Sequence, residues 1–250
     1  MAVRKLHNWH YIVLAAIVII PASYFLYGLY QNSETVQRQP ESVSQANPAQ
    51  LDPQPALPEL TISDDSSVLR LINAEHRLAP EYVPSDLALP DVSLDSRNPE
   101  SQLRLRADAA QALERMFAAA KEEEDLDLQL ASGYRPYSTQ EAIYNSAGGE
   151  NQTLVAVPGG SEHQSGLAAD IKREDFVCRL EECFGNQPEG IWSAGNAHRF
   201  GYILRYPEGK EDITGISYEA WHFRYVGEEL AKILHDENLT LEEYYQRQVQ

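Results

Sequence analysis

Ser161-Glu162-His163-Gln164-Ser165-Gly166-Leu167-Ala168-Ala169-Asp170 places a histidine and an aspartate on either side of small residues. A second stretch, Glu219-Ala220-Trp221-His222-Phe223-Arg224-Tyr225, carries another histidine in unusual company. Catalytic zinc is held by three His, Asp or Glu side chains and keeps one position open for water. His163, Asp170 and His222 would supply two imidazoles and one carboxylate. Gly166, Ala168 and Ala169 would let backbone come close to such a site. The activated water also needs a base, and Glu219, three residues before His222, is the candidate. Trp221, Phe223 and Tyr225 alternate with His222 and Arg224, as in a strand. Residues three apart on a regular strand face opposite ways, so Glu219 must precede a bend or lie on a helical turn to share a site with His222. An isolated histidine is more often structural than a ligand, and an isolated aspartate is more often a cap or turn residue. Glu162 and His198 are competing ligands. Glu162 precedes an apparent turn and reads as solvated; His198 falls on a predicted helix beside Arg199 and reads as structural.

Outward from these segments the chain mixes helices and short strands. Val68 to Ala74 is a short apolar run, followed by Pro80, Pro84 and Pro90. Leu103 to Glu123 reads as a helix, with Leu113, Met116, Phe117 and Ala120 on one face. Leu126, Leu128 and Leu130 alternate with Asp127 and Gln129, which marks a strand. A short helix is expected over Ser138 to Ser146, ended by Gly148-Gly149. Gly166 to Ile171, Tyr202 to Tyr206 and Ala220 to Val226 read as strands. Ser193 to Phe200 and Gly227 to Leu234 read as helices. Thr240 with Glu243 fits a capping box opening a last helix. Strands and helices do not alternate regularly, so the expected class is α+β rather than a doubly wound parallel sheet.

Beyond the body the composition changes. The chain has 250 residues, 20 basic and 38 acidic, for a formal charge of −18. Such a surface repels phosphate and argues against nucleic acid as a partner. Residues 1–30 contain only Arg4 and Lys5 as charged groups, and Tyr11 to Tyr30 is nearly all apolar. That run is long enough to cross a hydrocarbon core of about 30 Å. Arg4 and Lys5 ahead of it keep the N-terminus cytoplasmic and export the rest. The rival reading is a cleaved signal peptide with an apolar region over Ile12 to Ile20. Continuation through Tyr24-Phe25-Leu26-Tyr27 favours the uncleaved anchor. No cysteine follows the run, which excludes a lipoprotein anchor. Residues 31–62 then read as a flexible tether, with Pro40, Pro48, Pro53, Pro55 and Pro58 among Gln, Ser and Asn. Residues 63–250 form the expected catalytic body. Cys178 and Cys183 suit a local disulfide outside the cytoplasm; a zinc pair is the alternative.

The segments taken together resemble the metal-binding motifs of VanY-type D-alanyl-D-alanine carboxypeptidases. Ser161, His163, Gly166, Ala168 and Asp170 match the pattern Ser-x-His-x-x-Gly-x-Ala-x-Asp, and Glu219 with His222 match Glu-x-x-His. Ser132-Gly133-Tyr134-Arg135 followed by Gln140 resembles the upstream segment of that family. Tyr202 to Pro207 and Asp212 to Gly215 resemble others. The resemblance spans about residues 68–236. It implies the hedgehog/D,D-peptidase fold, a small antiparallel sheet with helices packed on it. It also implies Zn2+ held by His163, Asp170 and His222, with Glu219 as general base and peptidoglycan stem peptides as substrate. The expected reaction is removal of a terminal D-alanine, with L,D-specificity also possible. A D,D-dipeptidase or an endopeptidase would use the same metal site; a non-catalytic wall-binding module is the reading from another class. An exopeptidase must recognise a free carboxylate, and Arg135 can do so bidentately. Gln140 and Ser161 are expected to hydrogen-bond the peptide. Trp221 and Tyr225 are expected in the core or the pocket wall.

Overall fold

The computed structural model describes residues 57–151, 155–175 and 177–250. The expected anchor at Tyr11 to Tyr30 and the tether up to residue 56 lie outside them. Among the described residues, no helix is long and apolar enough to cross a membrane. Packing already begins within the segment expected as tether. Leu60 is buried among Leu71, Leu230, Leu234 and Leu241, and the Pro58 carbonyl accepts hydrogen bonds from the Tyr244 hydroxyl and the Gln248 amide, both at 2.8 Å.

Leu105–Arg106 (β2) pairs antiparallel with Leu87–Ala88 (β1). Arg106 backbone N–H also donates to the Gly166 carbonyl at 2.8 Å. This extended pairing explains why the first long helix, Ala107–Glu124 (α1), starts four residues later than its apolar periodicity predicts. Leu113, Met116, Phe117 and Ala120 of α1 are buried as their spacing requires, and Asp125 in the left-handed conformation ends the helix. Leu128–Ser132 (β3) follows, then the short helix Tyr137–Ser146 (α2).

The main sheet has four antiparallel strands in the order β3-β4-β6-β5. Its other members are Ala168–Arg173 (β4), Tyr202–Leu204 (β5) and His222–Tyr225 (β6). The two-residue period divides its faces. Leu130, Ala169, Ile171 and Phe223 join α1 and Trp192 in the larger core. Asp170, His222 and Arg224 alternate with these residues and so belong to the opposite face.

Pro188–Asn196 (α3) begins at Pro188, five residues ahead of the expected start at Ser193, and a 3-10 turn over Ala197–Phe200 completes the segment. Proline's fixed φ and missing N–H suit a first helical position. Glu211–Thr214 (α4) is a single turn. Glu228–Asp236 (α5) and Leu241–Val249 (α6) close the chain over the smaller core, and Thr240 and Glu243 form the expected capping box. Cys178 and Cys183 are disulfide-bonded. The architecture is the mixed α/β arrangement of helices on an antiparallel sheet expected from the sequence.

Candidate metal centre and active site

β4 and β6 bring two of the expected ligands face to face. Asp170 is the register partner of His222, and the His222 ring Nδ1 lies 3.0 Å from Asp170 Oδ1. His163 enters from a 3-10 turn, Glu162–Ser165, that ends at Gly166 with φ +67°. That left-handed φ strains any side chain placed there, so this turn into β4 favours glycine. His163 Nε2 then lies 3.2 Å from Asp170 Oδ2. Among the described residues, His163, Asp170 and His222 form one group whose donor atoms lie within 4.8 Å of one another, and all three are buried.

The remaining ring nitrogens are engaged elsewhere. His163 Nδ1 lies 2.6 Å from the Gly133 carbonyl, and His222 Nε2 lies 3.4 Å from Glu162 Oε2. A ligating histidine needs such a partner to fix its orientation. Two imidazoles and a carboxylate, converging with their far sides held, fit a catalytic zinc site with an open position.

Glu219 resolves the strand-spacing problem. β6 begins only at His222, and a turn precedes it in which His222 N–H donates to the Glu219 carbonyl at 3.2 Å. Glu219 Oε2 therefore comes within 3.8 Å of His222 Nδ1. Burial pushes the Glu219 carboxyl up to about 7, partly offset by the His222 ring. Burial also favours a neutral His222, but hydrogen bonds to Asp170 and Glu162 outweigh it and raise the ring to about 9. For Asp170, burial is overcome by His163 and His222, which hold it well below the usual carboxylate range. Burial depresses His163. Asp170 and Glu219 both face His222 Nδ1, at 3.0 and 3.8 Å, so a cation is favoured on that side of the ring.

Glu162 departs from its expected exposure. It is not solvated but 1% exposed. Its Oε1 accepts hydrogen bonds from Arg205 Nε at 2.8 Å and Arg224 Nη1 at 2.7 Å. Burial would raise its pKa, yet the two guanidiniums hold it well below the ordinary value. Sequence reasoning assigned no role to Arg205 or Arg224. Their signal was a cation inside each of two apolar strand segments. Tyr206, also unassigned, packs its ring against His222 at 4.9 Å.

A cavity of about 270 Å³ opens over the centre, and its lining includes Arg135, Gln140, Ser161, Glu219, Trp221 and His222. Arg135 Nη1 donates to Gln140 Oε1 at 2.9 Å, and Gln140 Nε2 donates to the Ala156 carbonyl at 2.8 Å. Gln140 thus braces Arg135. Trp221 spans pocket wall and core, while Tyr225 packs on the core. His198 stays apart from the centre, stacked on His235 with ring centroids 3.7 Å apart.

Comparisons with known proteins identify the family. Residues 102–228 match the VanY family model, described as D-alanyl-D-alanine carboxypeptidase. YodJ of Bacillus subtilis (strain 168) is 44% identical over 192 residues, covering 75% of this chain and 70% of that protein. The bifunctional D-Ala-D-Ala dipeptidase and carboxypeptidase VanXYC of Enterococcus gallinarum is 35% identical over 189 residues, covering 72% and 94%. Among solved structures, the LdcB LD-carboxypeptidase matches with TM-score 0.70 and 43% identity over 74% of this chain and 88% of that one. A vancomycin-resistance D,D-pentapeptidase VanY variant in complex with Zn(II) matches with TM-score 0.55 and 33% identity, over 72% and 99%. The family match spans His163, Asp170, Glu219, His222 and the Arg135 loop, and the chain belongs to the VanY family of D-alanyl-D-alanine carboxypeptidases.

Proposed function

We propose that this protein is a zinc carboxypeptidase that hydrolyses the terminal D-alanine from peptidoglycan stem peptides. The observation that carries the reading is one cavity joining the His163–Asp170–His222 donor set, Glu219 and Arg135. His163 through Nε2, Asp170 through its carboxylate and His222 through Nδ1 would hold the metal. When bound, zinc supplies a Lewis acid that lowers the pKa of water and polarises a carbonyl.

Glu219 takes the proton from the attacking water and later delivers it to the leaving amine. Its pKa of about 7 before any cation is present makes both transfers feasible near neutrality; a cation nearby would draw it lower and favour the base form. Arg135, braced by Gln140, receives the terminal carboxylate as a fork of two N–H donors. That contact orients the scissile carbonyl toward Glu219 and gives the preference for a chain end. Ser161 and Trp221 wall the peptide.

A second reading concerns the bond cut. The 43% identity to LdcB, named an LD-carboxypeptidase, supports cleavage before a D-alanine that follows an L-centre. A wall substrate also requires the body outside the cytoplasm, which the apolar run Tyr11 to Tyr30 behind Arg4 and Lys5 supports. The test is mass spectrometry of products from defined tetrapeptide and pentapeptide muropeptides. Loss of one D-alanine supports the proposal. Release of a dipeptide, cleavage of cross-links, or no turnover by zinc-loaded protein overturns it.

A further inference from the structure

Behind the centre lies a buried charge network with an asymmetric carboxylate. Glu162 Oε1 is taken up by both Arg205 and Arg224, which leaves Oε2 facing His222 Nε2 at 3.4 Å. Neither arginine has slack. Arg205 donates to Glu242 of α6 at 2.9 and 2.6 Å, and its guanidinium lies over the Tyr206 ring. Arg224 donates to the backbone carbonyls of Val68, Arg70 and Tyr225 at 3.1, 2.8 and 3.0 Å. The carboxylate is thereby immobilised with one oxygen directed at the far nitrogen of an expected metal ligand.

We propose that Glu162 is a positioning residue for His222: its Oε2 holds the Nε2–H tautomer, and so presents the Nδ1 lone pair to the metal beside Asp170. Imidazole has two chemically similar nitrogens, and only a fixed acceptor at one of them decides which is left for the metal. Asp170 cannot make that choice, because it lies on the Nδ1 side with the donor set. Tyr206 restricts ring tilt from a third direction. Through Arg205 the same chain of contacts reaches Glu242, so α6 braces the metal centre without touching it.

The inference rests on the metal-centre reading above, and the experiment separates the two. The zinc-loaded wild type, with 15N-labelled histidine, is examined by long-range 1H–15N correlation NMR. His222 should show a protonated Nε2 and a metal-shifted Nδ1. The zinc dissociation constant of Glu162→Gln, measured by chelator competition with folding checked by circular dichroism, should rise about 10–100-fold. Glu242→Gln, one step further out, should show a smaller rise. An unprotonated Nε2 in the wild type overturns the proposal, as does an unchanged dissociation constant in folded Glu162→Gln. Should that variant not fold, the wild-type tautomer alone decides. A wild type that binds no zinc overturns the metal-centre reading instead.

Discussion

Asp170 and His222 are register partners across β4 and β6, with Oδ1 and Nδ1 3.0 Å apart. Two of the three expected ligands are therefore set by sheet hydrogen bonding rather than by loops, and the rigid strand pair fixes their separation before any metal binds. Removing the metal should leave the fold standing while ending turnover. Dialysis against a chelator is expected to abolish D-alanine release with little change in the circular dichroism spectrum, and added Zn2+ should restore activity. Full activity in metal-free protein would contradict the assignment.

Glu219 should separate chemistry from binding. Glu219 lies outside the His163–Asp170–His222 donor group, so with Glu219 as the proposed base, Glu219→Gln should keep stoichiometric zinc while kcat falls about 10²–10⁴-fold, the usual range for a positioned acid–base group. Metal analysis and turnover on the same sample check both halves.

Arg135→Lys keeps the positive charge but removes the planar fork. Charge-assisted hydrogen bonds contribute about 1.5–3 kcal/mol, so kcat/KM should fall about 10–100-fold. A substrate with an amidated C-terminus should lose the difference between wild type and variant, because it offers no carboxylate to either side chain. Steady-state kinetics on the acid and amide forms decide this.

Much of the centre was legible in the sequence, for definite physical reasons. A helix announces itself by its buried stripe, as with Leu113, Met116, Phe117 and Ala120, and a capping box by two residues three apart, as with Thr240 and Glu243. The expected ligands His163, Asp170 and His222, which the structure brings together, sit in short motifs whose residue types their chemistry dictates. Glu162 was misread because its exposure depends on partners 43 and 62 residues away, which no local pattern encodes. The onset of β6 at His222, which lets Glu219 share the site, is likewise set by pairing with β4 rather than by strand propensity.

Gly133 couples backbone packing to the centre. Its carbonyl meets His163 Nδ1, and a β-carbon there would lie 2.4 Å from the Arg104 carbonyl oxygen. Gly133→Ala must push the segment after β3 away from Arg104, a strain of about 1–3 kcal/mol, and should shift the acceptor that orients His163. The expected result is a lowered thermal midpoint together with weaker zinc binding, read by calorimetry and chelator competition. A variant with native stability and native zinc affinity would show that the loop relaxes freely.

Acid sensitivity should be traceable to Asp95, away from the centre. Its side chain is 7% exposed and accepts a short hydrogen bond from Arg97, with Lys172 Nζ at 3.8 Å. The Arg97 hydrogen bond, against the opposing effect of burial, lowers the carboxyl from 3.8 to about 2. A folded pKa below the unfolded one means that the stabilisation is complete above about pH 4 and is lost as pH falls through about 2. The unfolded chain binds the proton first, so acid favours unfolding in that window. Arg97 is 37% exposed, and water screens its contribution, so the expected effect is roughly 1–2 kcal/mol. Urea melts of wild type and Asp95→Asn at pH 5 and pH 2.5 test this. Stability should drop further for the wild type than for the variant across that interval, since the variant has no proton to gain at this position. Equal drops would assign the acid sensitivity to other carboxylates, with Glu162 first among them because its two arginine partners are also buried.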